Sequence, residues 1–171
     1  MKLPFKPSLL TIRRLKPRWI ILHHTAEIYE KPEIKIDSDA YQMSSLFSNV
    51  IEDGTFEVNY HYIIDKIKDD YIPIVCRPFV YLCDWEDIHK DINNAAIHIA
   101  LMGNYDFKIP SKRCYEVLAY KLLNPMLKMF SLTPQKIKLH NEVSDNKELA
   151  CPGEFIDISR VITEVRKYTI K

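Results

Sequence analysis

The spacing of apolar residues divides the chain into alternating strands and helices. Continuous or β-branched apolar runs predict strands over 19–24, 58–65, 71–75, 96–102 and 136–140. Apolar residues three and four positions apart predict helices over 38–53, 111–130 and 158–168. Ser38 and Ser111 suit helix N-caps, and Pro125 should kink or break the second helix. This order predicts an α/β protein with a central mixed β-sheet flanked by helices.

The polar and proline-rich stretches suggest how the chain is organised around that sheet. Residues 1–17 hold three prolines and scattered basic residues, and we expect an N-terminal arm there. Residues 18–171 are then expected to form one domain, since about 150 residues is an ordinary domain size. The long connection over 76–94 is polar in its second half, which is typical of a binding surface.

Composition excludes several classes of function. The 171 residues carry a formal net charge of +1, which gives no electrostatic drive toward nucleic acid or an anionic membrane. Only three glycines are present, so a glycine-rich phosphate loop is disfavoured and each glycine is expected in a tight turn. No apolar run reaches the roughly 18 residues of a transmembrane helix, and the first residues do not resemble a signal peptide. We therefore expect cytoplasmic synthesis, with the four cysteines as free thiols.

Three residues that can bind a metal follow or end short apolar runs. They are His23, His140 and Cys151. Two imidazoles and one thiolate would leave the fourth position of a tetrahedral Zn²⁺ site open, as hydrolytic zinc sites require. From the residues alone, a hydrogen-bonded structural role for each histidine stays an alternative.

Four sequence blocks, in order, resemble a known family. The blocks are ILHHTAE, VNYHYIID, AIHIALMGNYD, and LHNEVS followed by CPGEF. Together they are similar to the type 2 N-acetylmuramoyl-L-alanine amidase and peptidoglycan recognition protein superfamily, over about residues 18–165. The resemblance implies a mixed sheet with a zinc-bearing groove, and peptidoglycan as the substrate.

The resemblance also assigns residues to roles. His23, His140 and Cys151 match the zinc ligands, and Tyr60 matches the tyrosine beside the zinc. Lys147 is the candidate for a second catalytic group, although the family's lysine or threonine position corresponds here to Leu149. The segment before the cysteine is about three residues longer than usual in the family.

Other positions depart from the family pattern around the groove. His24 and His61 are expected to be structural neighbours of the site. His98 stands where the family commonly has glycine, and it either packs as a hydrogen-bonded strand residue or narrows the groove. The groove histidine of the family has no clear counterpart, because Cys83 lies near that point and His89 is displaced.

The favoured hypothesis is a zinc-dependent amidase that cleaves the N-acetylmuramoyl-L-alanine bond, as a phage endolysin or a virion-associated lysin. Such a lysin would be made in the cytoplasm and would act on the cell wall after release. One alternative is a module that binds peptidoglycan or a partner protein without hydrolysis. Another is a structural component of a virion or other protein assembly, docked through the arm at 1–17.

Overall fold

A computed structural model describes residues 11–26, 58–67 and 70–169. The strands are β1 (Trp19–His24), β2 (Tyr62–Ile67), β3 (Asp70–Val75), β4 (Ala96–Leu101) and β5 (Ile137–Leu139). The helices are α1 (Lys90–Asn93), α2 (Lys112–Val117), α3 (Asn124–Phe130), α4 (His140–Val143) and α5 (Ile158–Thr169). A π-helical segment, Leu118–Leu123, joins α2 to α3, and a 3₁₀ turn, Pro134–Lys136, precedes β5.

The five strands form one mixed sheet in the order β3-β2-β4-β1-β5. Strands β2, β4, β1 and β5 run parallel, and β3 pairs antiparallel with β2. All six residues of β4 and five of six in β1 are buried, because these two strands lie inside the sheet. The mixed α/β sheet flanked by helices that the sequence predicts is confirmed.

The two faces of the sheet pack against different parts of the chain. Ile20 and Leu22 of β1 face the main core, which α2, the π-helical segment, α3 and α5 cover. Ile21 faces the other side, in a small cluster with Ile88 and Trp85. Since successive strand residues alternate between faces, His23 lies on the same side as Ile21. The polar chemistry of the chain therefore lies on the face away from the main helical layer.

Several element boundaries differ from the sequence prediction. The strand predicted over 58–65 begins only at Tyr62, because the chain bends at His61, whose carbonyl accepts from the N–H groups of Cys76 and Arg77. The strand predicted over 136–140 ends at Leu139, where the Glu142 carboxylate accepts from the Leu139 N–H and caps α4.

The predicted helix over 111–130 is interrupted rather than sharply broken. Ser111 caps α2, since its Oγ accepts from the Cys114 N–H at 3.1 Å. Pro125 has no N–H and its ring crowds the preceding turn, and the wider π-helical turn before it absorbs this conflict. The side-chain amide of the buried Asn124 donates to the Ala119 carbonyl at 3.3 Å and to the Val165 carbonyl at 3.0 Å, which ties the interrupted helix to α5.

Two of the predicted glycine turns are confirmed by positive φ angles. Gly103 has φ 122° and Gly153 has φ 100°, and a Cβ on Gly153 would lie 2.5 Å from the Tyr105 carbonyl carbon. The helix predicted over 38–53 and its stop at Asp53-Gly54 lie outside the described residues. The division into an arm at 1–17 and a domain at 18–171 stays a prediction, and within the described residues Ile12 forms a single β-bridge with Tyr81.

No disulfide links the four cysteines, all of which lie in described residues. None of the helices in the described ranges combines the length and the apolarity needed to cross a bilayer.

Candidate metal centre

Two neighbouring parallel strands bring His23 and His140 to the same edge of the sheet. β1 and β5 pair in parallel up to Leu22 and Leu139, so the next residue of each chain segment is a histidine. His23 stays in β1, and His140 opens α4 directly after β5. Functional groups of α/β proteins commonly lie at the carboxyl ends of parallel strands, where the loops that leave the sheet form a crevice.

Cys151 reaches these histidines from the loop after α4. The carbonyl of Cys151 accepts from the Asn141 N–H at 3.0 Å, which ties the loop back to α4. The Cys151 Sγ lies 3.7 Å from His23 Nδ1. One ligand atom from each of His23, His140 and Cys151 can be chosen so that all three lie within 4.8 Å of one another. The structure thus gathers the three predicted ligands, and their assignment to a metal stays a prediction.

The surroundings of His140 fit a bound cation. Its side chain is buried, and its Nδ1 has no hydrogen-bond partner among the described residues, whereas its Nε2 lies 3.0 Å from Asp87 Oδ2. A buried ring nitrogen without a partner costs free energy unless something else fills its lone pair. Two imidazole nitrogens and a sulfur form the donor set that Zn²⁺ prefers.

Protonation of the three side chains follows from their burial. Burial, helped by the neighbouring imidazoles, holds the pKa of His23 well below its ordinary value. Burial also lowers the pKa of His140, against the opposing effect of the Asp87 carboxylate. Both rings are therefore neutral near pH 7, as metal ligands must be. Burial raises the pKa of the Cys151 thiol to about 12, so that a metal ion would have to displace its proton.

Each histidine has a polar neighbour on its far side. His23 Nε2 lies 2.9 Å from His98 Nδ1, in a contact buried from solvent. His140 Nε2 lies 3.0 Å from Asp87 Oδ2, and that carboxylate oxygen also accepts from Ser144 Oγ at 2.8 Å. Such outer partners commonly orient metal-ligating histidines.

Aromatic rings enclose the cluster. Trp85 stacks on His23, with ring centroids 4.4 Å apart, and meets His140 edge-on at 4.9 Å. Tyr60 contacts His23 edge-on at 5.4 Å, and its hydroxyl donates to the His24 carbonyl at 3.4 Å. Tyr60 is therefore placed beside the three candidate ligands, as the sequence predicts for its position, while its catalytic role stays a prediction.

Lys147 lies on the exposed stretch between α4 and Cys151. Its Nζ donates to the Ser144 carbonyl at 3.1 Å. Ser144 in turn donates to Asp87, so that Lys147 is connected to the surroundings of His140 through two contacts. The hydrogen bond given by the Lys147 ammonium therefore goes to the backbone of its own loop and not to one of the three candidate ligands.

The remaining histidines of the motif blocks have structural partners. His24 Nδ1 accepts from the Tyr105 N–H at 3.2 Å. His61 Nδ1 accepts from the His98 N–H at 2.9 Å, and its Nε2 lies 2.9 Å from the Tyr81 carbonyl. These contacts agree with the structural roles expected for both. His98 is fully buried within β4, as a packed and hydrogen-bonded strand residue.

Sequence reasoning missed Trp85 and Asp87. Both lie in the connection over 76–94, which the sequence marks as polar and different from the family pattern. One available signal was that Trp85 is one of only two tryptophans and is flanked by carboxylates. No spacing rule connects either residue to His23 or His140, because the contacts join distant parts of the chain.

Comparisons with known proteins bear on the family and the fold of this chain. The family model described as N-acetylmuramoyl-L-alanine amidase matches residues 13–154. The endolysin N-acetylmuramoyl-L-alanine amidase LysCS from Clostridium intestinale is similar in structure, with a TM-score of 0.64 and 20% identity, covering 97% of this chain and 91% of that chain. AmpD is similar at a TM-score of 0.66 and 17% identity, covering 91% of this chain and 89% of that chain.

A peptidoglycan recognition protein shares the fold as well. The ectodomain complex of PGRP-LCa and PGRP-LCx, solved with tracheal cytotoxin bound, contains a chain with a TM-score of 0.63 and 18% identity, covering 94% of this chain and 87% of that chain. No curated protein sequence matches the chain. At these identities the solved structures establish the fold, whereas the family model spans most of the sequence. The chain therefore belongs to the N-acetylmuramoyl-L-alanine amidase family.

Proposed function

We propose that this protein is a zinc-dependent amidase that hydrolyses the bond between N-acetylmuramic acid and L-alanine in peptidoglycan. The observation that carries the proposal is the convergence of His23, His140 and Cys151 at one sheet edge, in a chain that belongs to this family. These three side chains come from β1, α4 and a loop, and none is close to another in sequence except His140 and Cys151.

His23, His140 and Cys151 would hold the zinc ion. A zinc ion held by two nitrogens and one sulfur supplies Lewis-acid activation of water and of the amide carbonyl. The protein's contribution is to keep both imidazoles neutral by burial, so that their lone pairs are available near pH 7. Stacking of Trp85 over His23 excludes water from one side of the cluster and strengthens the local electrostatics.

We assign Tyr60 the task of donating a hydrogen bond to the carbonyl oxygen as it gains negative charge. Donors already in place for a developing oxyanion are typically worth about 3 kcal/mol each in transition-state stabilisation. The Tyr60 hydroxyl donates to the His24 carbonyl over 3.4 Å, which is long for an O–H donor. A long bond of this kind is exchanged for a substrate oxygen at little cost.

We propose Lys147 as a second donor to the reacting carbonyl. Its ammonium would have to leave the Ser144 carbonyl, to which it donates at 3.1 Å. Lys147 is exposed and lies four residues before Cys151, so its long side chain is on the segment that carries a candidate ligand.

We also propose that the enzyme acts on the cell wall after release, as an endolysin. The fold similarity to the endolysin LysCS supports this role. Lysis of host cells upon expression together with a membrane-permeabilising partner, and its loss in a Cys151→Ser variant, would test it. Continued growth of cells that contain active, zinc-loaded enzyme and the partner would exclude it.

The central test compares zinc content and hydrolysis in matched variants. Wild type is expected to bind one zinc per chain and to release new L-alanine amino termini from purified cell walls. Cys151→Ser should lose zinc and activity together, whereas Cys76→Ser, which removes a partly exposed thiol outside the ligand group, should keep both. Tyr60→Phe should keep zinc and lose about 100-fold or more in kcat, because one oxyanion donor is removed.

Other outcomes separate the alternatives. The absence of stoichiometric zinc from the wild-type protein would contradict the proposal. Zinc-loaded protein that binds muropeptides without releasing amino termini would identify a binding module. The shared fold with the PGRP-LCa and PGRP-LCx complex, which was solved with tracheal cytotoxin bound, is the reason to test this outcome. A Lys147→Met variant with unchanged kcat would remove Lys147 from the catalytic group.

A further inference from the structure

His98 occupies a buried position directly behind one candidate ligand. It lies in the middle of β4, paired in register with Ile21 of the adjacent strand β1. Its side chain is fully buried, and its Nδ1 lies 2.9 Å from His23 Nε2. This contact joins two neutral imidazoles, so a hydrogen bond between them needs one ring to donate and the other to accept.

The position of Cys151 decides which ring donates. His23 Nδ1 faces the Cys151 Sγ at 3.7 Å, so Nδ1 is the nitrogen on the side of the candidate ligands. A nitrogen that binds a metal cannot carry a hydrogen, and in neutral His23 the hydrogen is then on Nε2. His23 Nε2–H therefore donates to His98 Nδ1, and His98 carries its own hydrogen on Nε2.

We propose that His98 is a positioning residue that holds His23 in the Nε2-protonated tautomer, with Nδ1 turned toward His140 and Cys151. This inference rests on the proposed zinc function. It goes beyond that function because it gives a role to a residue that is itself outside the ligand group. The reason for a histidine at this strand position is then that its Nδ1 accepts a hydrogen bond from the ring of His23.

The acceptor is held rigidly by its own surroundings. The backbone N–H of His98 donates to His61 Nδ1 at 2.9 Å, and the two rings stack at 5.8 Å with an interplanar angle of 13°. Trp85 lies 6.0 Å from the His98 ring on the side of the cluster. Since β4 is a central strand paired with β1 and β2, the backbone of His98 is fixed in the sheet.

The opposite nitrogen of His98 supports a functional reason for the residue. His98 Nε2 is buried and has no hydrogen-bond partner among the described residues. A buried polar atom without a partner is unfavourable for folding, and an apolar side chain would avoid it. The site keeps an imidazole at this position, which is consistent with a requirement for the acceptor at Nδ1.

The test uses two side chains of the same shape. Asn and Leu branch alike at Cγ, but only Asn offers an oxygen where His98 Nδ1 lies. Zinc dissociation constants would be measured by competition with a chromophoric chelator for wild type, His98→Asn and His98→Leu. His98→Leu should weaken zinc binding by about 10- to 100-fold, the usual effect of losing an outer partner of a ligand, and His98→Asn should stay within about threefold of wild type.

Two further measurements separate positioning from a general structural effect. Urea unfolding of the zinc-free proteins should show His98→Leu at least as stable as His98→Asn, because an apolar side chain avoids burying an unpaired polar atom, so weaker zinc binding by His98→Leu would not come from a less stable fold. Long-range ¹H–¹⁵N spectra of histidine-labelled protein should show His23 protonated at Nε2 in wild type and His98→Asn, and a mixture of tautomers in His98→Leu.

The outcomes are distinguishable from failure of the proposed function. If wild type binds no zinc, the proposed function fails and this inference fails with it. If wild type binds zinc and His98→Leu binds it equally well, only the role of His98 is overturned. Equal weakening in both variants would overturn it as well. Loss of one nitrogen ligand in the Co²⁺ absorption spectrum of His98→Leu would instead make His98 a direct ligand.

Discussion

We predict that His61 makes the zinc-free protein sensitive to mild acid. Burial lowers the pKa of His61 to about 3, opposed by its contact with the Tyr81 carbonyl and assisted by the positive charges of Arg13 and Arg77. In the unfolded chain the pKa of histidine is about 6.5. The unfolded state therefore binds a proton between these pH values while the folded state does not. The stabilising contribution of neutral His61 is complete above about pH 6.5 and is lost as the pH falls toward 3.

The size of this effect follows from the two pKa values. Between pH 7 and pH 5, His61 alone should reduce the free energy of unfolding by about 2 kcal/mol. Burial also lowers the pKa of His23 and of His98, which adds further loss in the same direction. Domains of this kind are typically stable by about 5–15 kcal/mol, so the zinc-free protein should lose a large share of its stability by pH 5.

The assay is urea unfolding at pH 7 and pH 5 in the presence of a chelator. His61→Gln keeps an amide that can donate to the Tyr81 carbonyl and removes the titrating ring. The drop in the free energy of unfolding between the two pH values should be about 2 kcal/mol smaller in this variant than in wild type. His89→Gln is the matched control, because the His89 side chain is 66% exposed, and it should keep the wild-type drop. An equal drop in wild type and His61→Gln would refute the reasoning.

Three further predictions concern the site and its supporting turn. Asp87→Asn should weaken zinc binding by about 10-fold in a chelator competition, because His140 loses a charged outer partner, and unchanged affinity would exclude that role. Gly153→Ala should lower the free energy of unfolding by more than about 3 kcal/mol, because the added Cβ would lie 2.5 Å from the Tyr105 carbonyl carbon. Gly103→Ala, where a Cβ meets nothing closer than 3.7 Å, should lose about 1–3 kcal/mol from backbone strain alone; equal losses would contradict this. Zinc binding at pH 7 should release about one proton, because the Cys151 thiol has a pKa of about 12 in the metal-free protein; calorimetry in buffers of different ionisation enthalpy measures it, and no release would contradict it.

The sheet and the ligand residues are predictable from sequence because they depend on local patterns. The run over 19–24 is apolar from Trp19 to Leu22 and ends in two histidines, and it forms β1 over the same residues. The pairing of β1 with β5 then places His23 and His140 together, since both follow the last paired residues of parallel strands. The family resemblance supplies the remaining candidate ligand, Cys151, which no local pattern connects to the strands.

The surroundings of the ligands could not be predicted in the same way. The contact between His23 and His98 joins residues 75 positions apart, and it depends on the register of β1 against β4. Trp85 and Asp87 approach the site through a long connection whose path is set by tertiary contacts, including the hydrogen bond from the Trp85 indole to the Asn59 carbonyl. The strand start predicted at Val58 was wrong for a similar reason, because the bend at His61 depends on partners in β4 and in the segment after β3.

The origin of the third candidate ligand has a consequence for the order of events in metal uptake. His23 and His140 are buried at the end of paired strands, whereas Cys151 belongs to a mostly exposed loop held by few backbone bonds, such as that from Asn141 N–H to the Cys151 carbonyl. Local opening should therefore release the cysteine while the histidine pair stays in place. Amide hydrogen exchange over 145–151 should slow strongly when the metal binds, and exchange in β1 should hardly change. Zinc binding would then itself order the loop over 145–151, and the rate of amide hydrogen exchange in this loop would report how much of the site is occupied.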